Sequence, residues 1–178
     1  MSVYYPGCDT TIPSPTCSDC PDKELGGVRS FFLQKDTYSF ADITDPLEWN
    51  TALANEDVYL FPKSRGTIEQ TEVESAGFGD QAMVVDGYDF VVNVFEPNFV
   101  PNVDFWNAIK KSNNYKIGWR TETQVWVSDE ACGIIPKAPV GEDLKLAVIQ
   151  NVICKFSQED YPTPSDVPVD VFDRCVAV

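Results

Sequence analysis

The chain has 178 residues, 43% of them hydrophobic, which is enough for one domain with a real core. Twenty-eight Asp and Glu stand against 13 Lys and Arg, leaving a net charge of −15 spread along the chain. Such a surface repels nucleic acid and anionic membranes, which argues against a sequence-reading DNA or RNA binder, and the absence of His removes the commonest general base.

Residues 1–27 read as an irregular arm, punctuated by Pro6, Pro13, Pro15, Pro21, Gly26 and Gly27. The opening MSVYYPGCDTT lacks the basic head and apolar core of a signal peptide, and no stretch approaches the ~20 apolar residues of a membrane helix. We therefore expect a protein made and used without secretion, with its six cysteines as free thiols. Cys8, Cys17 and Cys20 form a C-x8-C-x2-C cluster in the arm. Two readings stand for it: zinc held by four thiolates, with Cys132 or Cys175 as the fourth ligand, or unpaired thiols and no cofactor.

A core domain is expected over residues 28–156. Residues 28–34 (VRSFFLQ) are the first strand candidate. In DPLEWNTALA, Asp45 is a natural N-cap and Pro46 fits the first helical position, with Leu47, Trp49 and Leu53 supplying apolar contacts. Residues 57–61 return to β character, and the polar run TIEQTEVES (67–75) suits an edge strand or a projecting hairpin arm. GFGDQA formally matches a dinucleotide fingerprint, but MVVDGYDFVVNVF follows it where a helix would be required. Gly77 and Gly79 therefore read as turn or bulge residues.

Residues 81–95 form a long strand in which Asp86-Gly87 is either a hairpin turn or a bulge, and Tyr88, Phe90, Val92 and Val94 share one face. NFVPN breaks it. A second helix is expected over 102–112, capped by Asn102, with Asp104 near its start and Lys110 and Lys111 near its end. Residues 115–120 and 123–128 look like a hairpin, and DEACG turns the chain. LKLAVIQNVICKF (144–156) then alternates strictly, with Leu144, Leu146, Val148, Val152, Cys154 and Phe156 on one face, the signature of a long half-buried strand. Prolines 162, 164 and 168 mark residues 157–178 as a second arm. The fold class is mainly β, a β-sandwich or long-stranded antiparallel sheet with two short helices and irregular terminal arms.

No catalytic constellation accompanies this framework. There is no G-x-S-x-G elbow and no P-loop, and the frequent carboxylate pairs read as solvated surface. Trp49, Trp106, Trp119 and Trp126 sit on amphipathic or alternating segments, which favours core packing over a ligand groove. We read the protein as a non-enzyme.

Three stretches, LGGVRSFFLQKDTYSFADITDPLEWNTAL, IEQTEVESAGFGDQ and FWNAIKKSNNYKIGW, together resemble virion structural proteins of tailed phages infecting Bacteroidetes, including the crAss-like group. The resemblance implies a multi-copy component located in the virion and made in the host cytoplasm. Its partners would be copies of itself and other virion proteins, with DNA only as passing cargo and no membrane. Two roles compete: a tail-tube or tail-ring subunit with an acidic DNA-passing surface, and an auxiliary capsid protein clasping its neighbours. The terminal arms would make the contacts, and Tyr4, Tyr5, Val171, Phe172 and Val176 are the candidate assembly residues, unless the termini fold back on their own core. A small ligand- or glycan-binding β-domain is the alternative from another class.

Overall fold

Residues 27–62, 64–75, 84–97, 99–137 and 150–172 are described by a computed structural model. They form two antiparallel sheets and two helices, the mainly β sandwich expected. Strands β1 (Ser30–Lys35), β2 (Val58–Phe61), β5 (Tyr115–Arg120), β6 (Gln124–Val127) and β9 (Ser165–Asp166) make the first sheet, in the order β2-β1-β5-β6-β9. Strands β3 (Arg65–Ser75), β4 (Val84–Glu96), β8 (Gln150–Gln158) and β7 (Gly133–Lys137) make the second, in the order β3-β4-β8-β7.

The main core lies between the sheets. Phe31 and Leu33 of β1, Phe90, Val92 and Val94 of β4, and Val152, Cys154 and Phe156 of β8 all point into it. The Phe90 and Phe156 rings stack at 4.9 Å. Helix α2 (Phe99–Ile109) adds Trp106 and Ile109 to this core, with Trp106 stacked on Phe61 at 5.1 Å. The alternation read in 144–156 therefore holds in phase over β8. Its first half, 144–149, lies outside the described residues.

β1 is buried on both faces, which explains why SFFLQK lacks polar alternation. Its second face, through Phe32, meets a second core built from Trp49 and Ala52 of helix α1 (Pro46–Ala54), Val58, Val125, Val171 and Phe172. Gly118 on β5 makes room for this: a methyl group there would fall 2.0 Å from the Phe32 ring. The first sheet is thus covered on both sides, whereas among the described residues the second has one face uncovered.

Several expectations change. Asp45 caps α1, accepting from the Leu47 N–H at 2.9 Å, but Leu47 itself is 74% exposed and contributes no core contact. α2 begins at Phe99, so Asn102 is not its cap, Asp104 lies mid-helix, and Lys110 and Lys111 follow its last residue. Pro101 does not break the chain because it falls in the first turn, where an N–H has no acceptor to lose. Asp86-Gly87 is a bulge: Gly87 faces Val73 and Val85 faces Glu74, leaving Asp86 the extra residue. β7 was not anticipated, since GIIPK carries a proline. As an edge strand it can accommodate Pro136.

The boundary at 156 also moves. β8 runs to Gln158, β9 pairs with β6, and Val171 and Phe172 are 6% and 3% exposed in the chain's own second core. The segment after 156, through Phe172, therefore belongs to the domain, and those two side chains are spent on intrachain packing. Tyr4, Tyr5, Val176, Cys8, Cys17, Cys20, Cys175, Gly77 and Gly79 lie outside the described residues.

Candidate assembly edge

An open sheet edge offers backbone groups for pairing with another chain, and natural strands usually blunt such edges. Three of the four edges here are blunted. β3 carries Glu69, Glu72 and Glu74 and faces the bulge of β4. β7 carries Pro136 and ends on Lys137, and β9 is only two residues long. β2 is different: VYLF has no charge and no proline.

The hydrogen-bond phase of β2 follows from its ladder with β1. Lys35 N–H donates to the Asp57 carbonyl at 2.9 Å, and the register pairs Leu33 with Tyr59 and Phe32 with Leu60. In an antiparallel ladder, bonded and non-bonded pairs alternate. Tyr59 and Phe61 therefore bond to β1, while the N–H and C=O groups of Val58 and Leu60 point away from it; Val58 is 1% exposed, so the accessible part of this edge is at half-buried Leu60. Among the described residues no strand lies on that side.

A cavity of about 590 Å³ runs along this edge. Asn50, Leu53 and Ala54 of α1 form one wall, Asn102 and Phe105 of α2 the other, and β2 the floor. Phe105 packs its ring against Tyr59 at 5.1 Å, which holds α2 against the strand. Among the described residues Glu56, at φ 58°, is the one charged residue lining the groove.

The open face of the second sheet is a broader surface. Strand alternation places Phe95, Ile135 and Val73 there, 44%, 43% and 42% exposed. Its charged residues are Arg65, Glu69, Asp89, Lys137 and Lys155, so among the described residues this face is not acidic.

A second, more polar cleft of about 410 Å³ opens beside the 38–48 loop. Glu48, in the first turn of α1, reaches back and accepts from the Ala41 N–H at 2.7 Å and the Asp42 N–H at 2.8 Å. It also accepts from the Tyr38 hydroxyl at 3.2 Å. The Asp42 and Ala41 backbone donors hold the Glu48 carboxyl below its usual value, and the Thr44 hydroxyl and N–H do the same for Asp42. Burial, with the Glu48 charge and hydrogen bond adding, pushes the Tyr38 phenol up to about 12.

These shifts set a pH window. A depressed carboxyl stabilises the fold above its unfolded value, 4.5 for Glu48 and 3.8 for Asp42, and that contribution fades as pH falls through the folded value. A raised phenol stabilises below its unfolded value of 10.0, and this is lost as pH rises toward about 12. The thermal midpoint is therefore expected to be flat between these limits and to fall on both sides. Glu48→Gln should lower the plateau and shallow the acid limb. An acid limb of unchanged slope in that variant would refute the assignment.

Cys132 and Cys154 are both buried side by side, and the neighbouring Cys132 thiol together with burial pushes the Cys154 thiol well up. A buried pair of this kind packs as two small apolar residues. Cys132 is thus turned into the core. Among the described residues no three His, Cys, Asp or Glu side chains gather as metal ligands. Trp49, Trp106 and Trp119 are buried and Trp126 stacks on Trp119 at 6.4 Å, so neither concavity is lined by a tryptophan. Among the described residues no helix is long and apolar enough to cross a membrane.

No family model matches the chain, and neither does a curated protein or a solved structure. The site thus rests on geometry. Sequence reading found β character at residues 57–61, where β2 lies, but not its place at the sheet edge, and it looked for assembly contacts in the termini.

Proposed function

We propose that the chain is a structural subunit of a tailed-phage virion that works in multiple copies. The observation that carries assembly is the uncharged β2 edge, on which no further strand lies among the described residues. The resemblance of LGGVRSFFLQKDTYSFADITDPLEWNTAL and its companion stretches to such virion proteins supplies the particle. A net charge of −15 suits a component that DNA passes without sticking, as in a tail tube or ring.

The placement of charge favours a second role as well. Among the described residues this sheet face carries two acids against three bases and half-exposed Phe95 and Ile135, a composition suited to a protein contact and not to a DNA-passing wall. An auxiliary capsid protein would use that face on its shell.

Light scattering and negative-stain microscopy across protein concentration test the proposal. Closed rings or stacked tubes are expected for a tail component, and a monomer that adds only to preformed shells for the capsid role. A monomer that joins neither at any concentration would overturn the assembly reading.

A further inference from the structure

Among the described residues, the groove along β2 holds its one charge where two local rules are broken. Helix α1 ends in a hydrogen-bonded C-terminal motif: the Glu56 N–H donates to the Leu53 carbonyl at 3.2 Å and the Asp57 N–H to the Ala52 carbonyl at 2.9 Å. Such a motif puts the residue after the cap in the left-handed region, here at φ 58°, where glycine sits without cost and glutamate does not. The C-terminal end of a helix also carries partial negative charge and favours a base. The last turn of α1 has no base, and the acid Glu56 follows it. Asp57, the next residue, is paired with Lys35 at 3.2 Å, whereas Glu56 has no ion-pair partner among the described residues. An acid kept against both backbone and dipole points to something outside the chain that needs it there.

The rest of the groove is apolar and aromatic. Half-buried Leu53 and Leu60 line it, with the half-buried rings of Tyr59 and Phe105, beside the exposed Glu56. Burial first, then Tyr115, pushes the Tyr59 phenol up, and the Glu56 charge adds to this, so the carboxylate acts on that ring. The volume of about 590 Å³ falls within the range of small-molecule sites, roughly 300–1,000 Å³.

We infer that this groove binds a small organic amine, an apolar body carrying one ammonium group. The body displaces water from Leu53 and Leu60, and the ammonium pairs with Glu56 and lies against the face of Tyr59 or Phe105. It also supplies the positive charge that the end of α1 lacks. A net charge of −15 draws cations toward the chain and repels carboxylic acids of the same size. Binding of this kind needs one copy of the chain and is independent of the multi-copy reading.

Amide chemical shifts of the full chain, dilute enough to be monomeric, test this in titrations with phenethylamine, 2-phenylethanol and 3-phenylpropionate. Phenethylamine is expected to shift the Leu53, Glu56, Leu60 and Phe105 amides. It should bind about tenfold more tightly than the neutral alcohol, the sum of an exposed ion pair and a cation–π contact, and the acid should be weakest. Glu56→Gln keeps the shape of the side chain and should erase the preference for the amine. Glu56→Gly should erase it too, yet raise the thermal midpoint, because glycine relieves both the backbone and the dipole. Equal affinity for amine and alcohol, a preference that survives Glu56→Gln, or shifts confined to other parts of the chain would overturn the proposal. A lowered midpoint in Glu56→Gly would overturn the reading of Glu56 as an acid kept against stability. Light scattering with saturating amine should leave any assemblies intact; their dispersal would overturn the small-molecule assignment in favour of a basic side chain from a neighbouring copy. A chain that binds the amine but stays monomeric at every concentration would overturn the multi-copy reading and leave this one standing.

Discussion

Trp49→Ala is expected to lower the unfolding free energy by about 3–5 kcal/mol, the range for deleting a large buried aromatic. Trp49 is 0% exposed, and its indole N–H donates to the Ile43 carbonyl at 2.7 Å. Phe32 meets its ring edge-on at 4.8 Å, Phe40 lies at 4.6 Å and Phe172 at 5.1 Å. Removing the ring leaves these three without their common neighbour and leaves α1 with Ala52 as its remaining fully buried contact. A domain of this size has only about 5–15 kcal/mol to lose, so the variant should unfold at markedly lower urea. Leu47→Ala in the same helix is the control and should change little, because Leu47 is mostly in solvent. A loss under about 1 kcal/mol for Trp49→Ala would mean that the second core is not packed as described.

Phe172→Ala is expected to cost about 3–5 kcal/mol in the dilute monomer. The ring is 3% exposed, lies 6.1 Å from Phe32, and has the Arg120 guanidinium 5.5 Å above it. A side chain reserved for a neighbouring subunit would behave differently: its loss would weaken assembly and leave monomer stability unchanged. Urea unfolding below the assembly concentration separates the two. Unchanged stability there would return Phe172 to the list of assembly contacts.

The contrast between the chain's ends shows where sequence reading runs out. PTPSDVPVDVF has the composition of an arm, and prolines do keep most of it out of strands. Composition does not reveal that a β1 buried on both faces leaves Phe32 in need of a cover, or that Val171 and Phe172 supply part of it. GIIPK posed the same difficulty. A proline argues against a strand unless the strand lies at an edge, and edge position is a property of the assembled sheet. The β2 edge was hidden for a related reason: VYLF reads as any buried strand until its one-sided pairing is known.

Local chemistry was legible wherever one face met one environment. Period-two alternation placed Phe90, Val92, Val94, Val152, Cys154 and Phe156 in the core, and Asp45-Pro46 located the start of α1, because those signals depend on neighbours a few residues away. The sequence by itself determined a mainly β framework, two short helices and an acidic surface without histidine. The tertiary structure alone decided which strands became edges, which face stayed open and which terminal residues turned inward. Those outcomes depend on pairings between residues far apart in the chain, such as Gln124 with Asp166, whose closure no local pattern encodes.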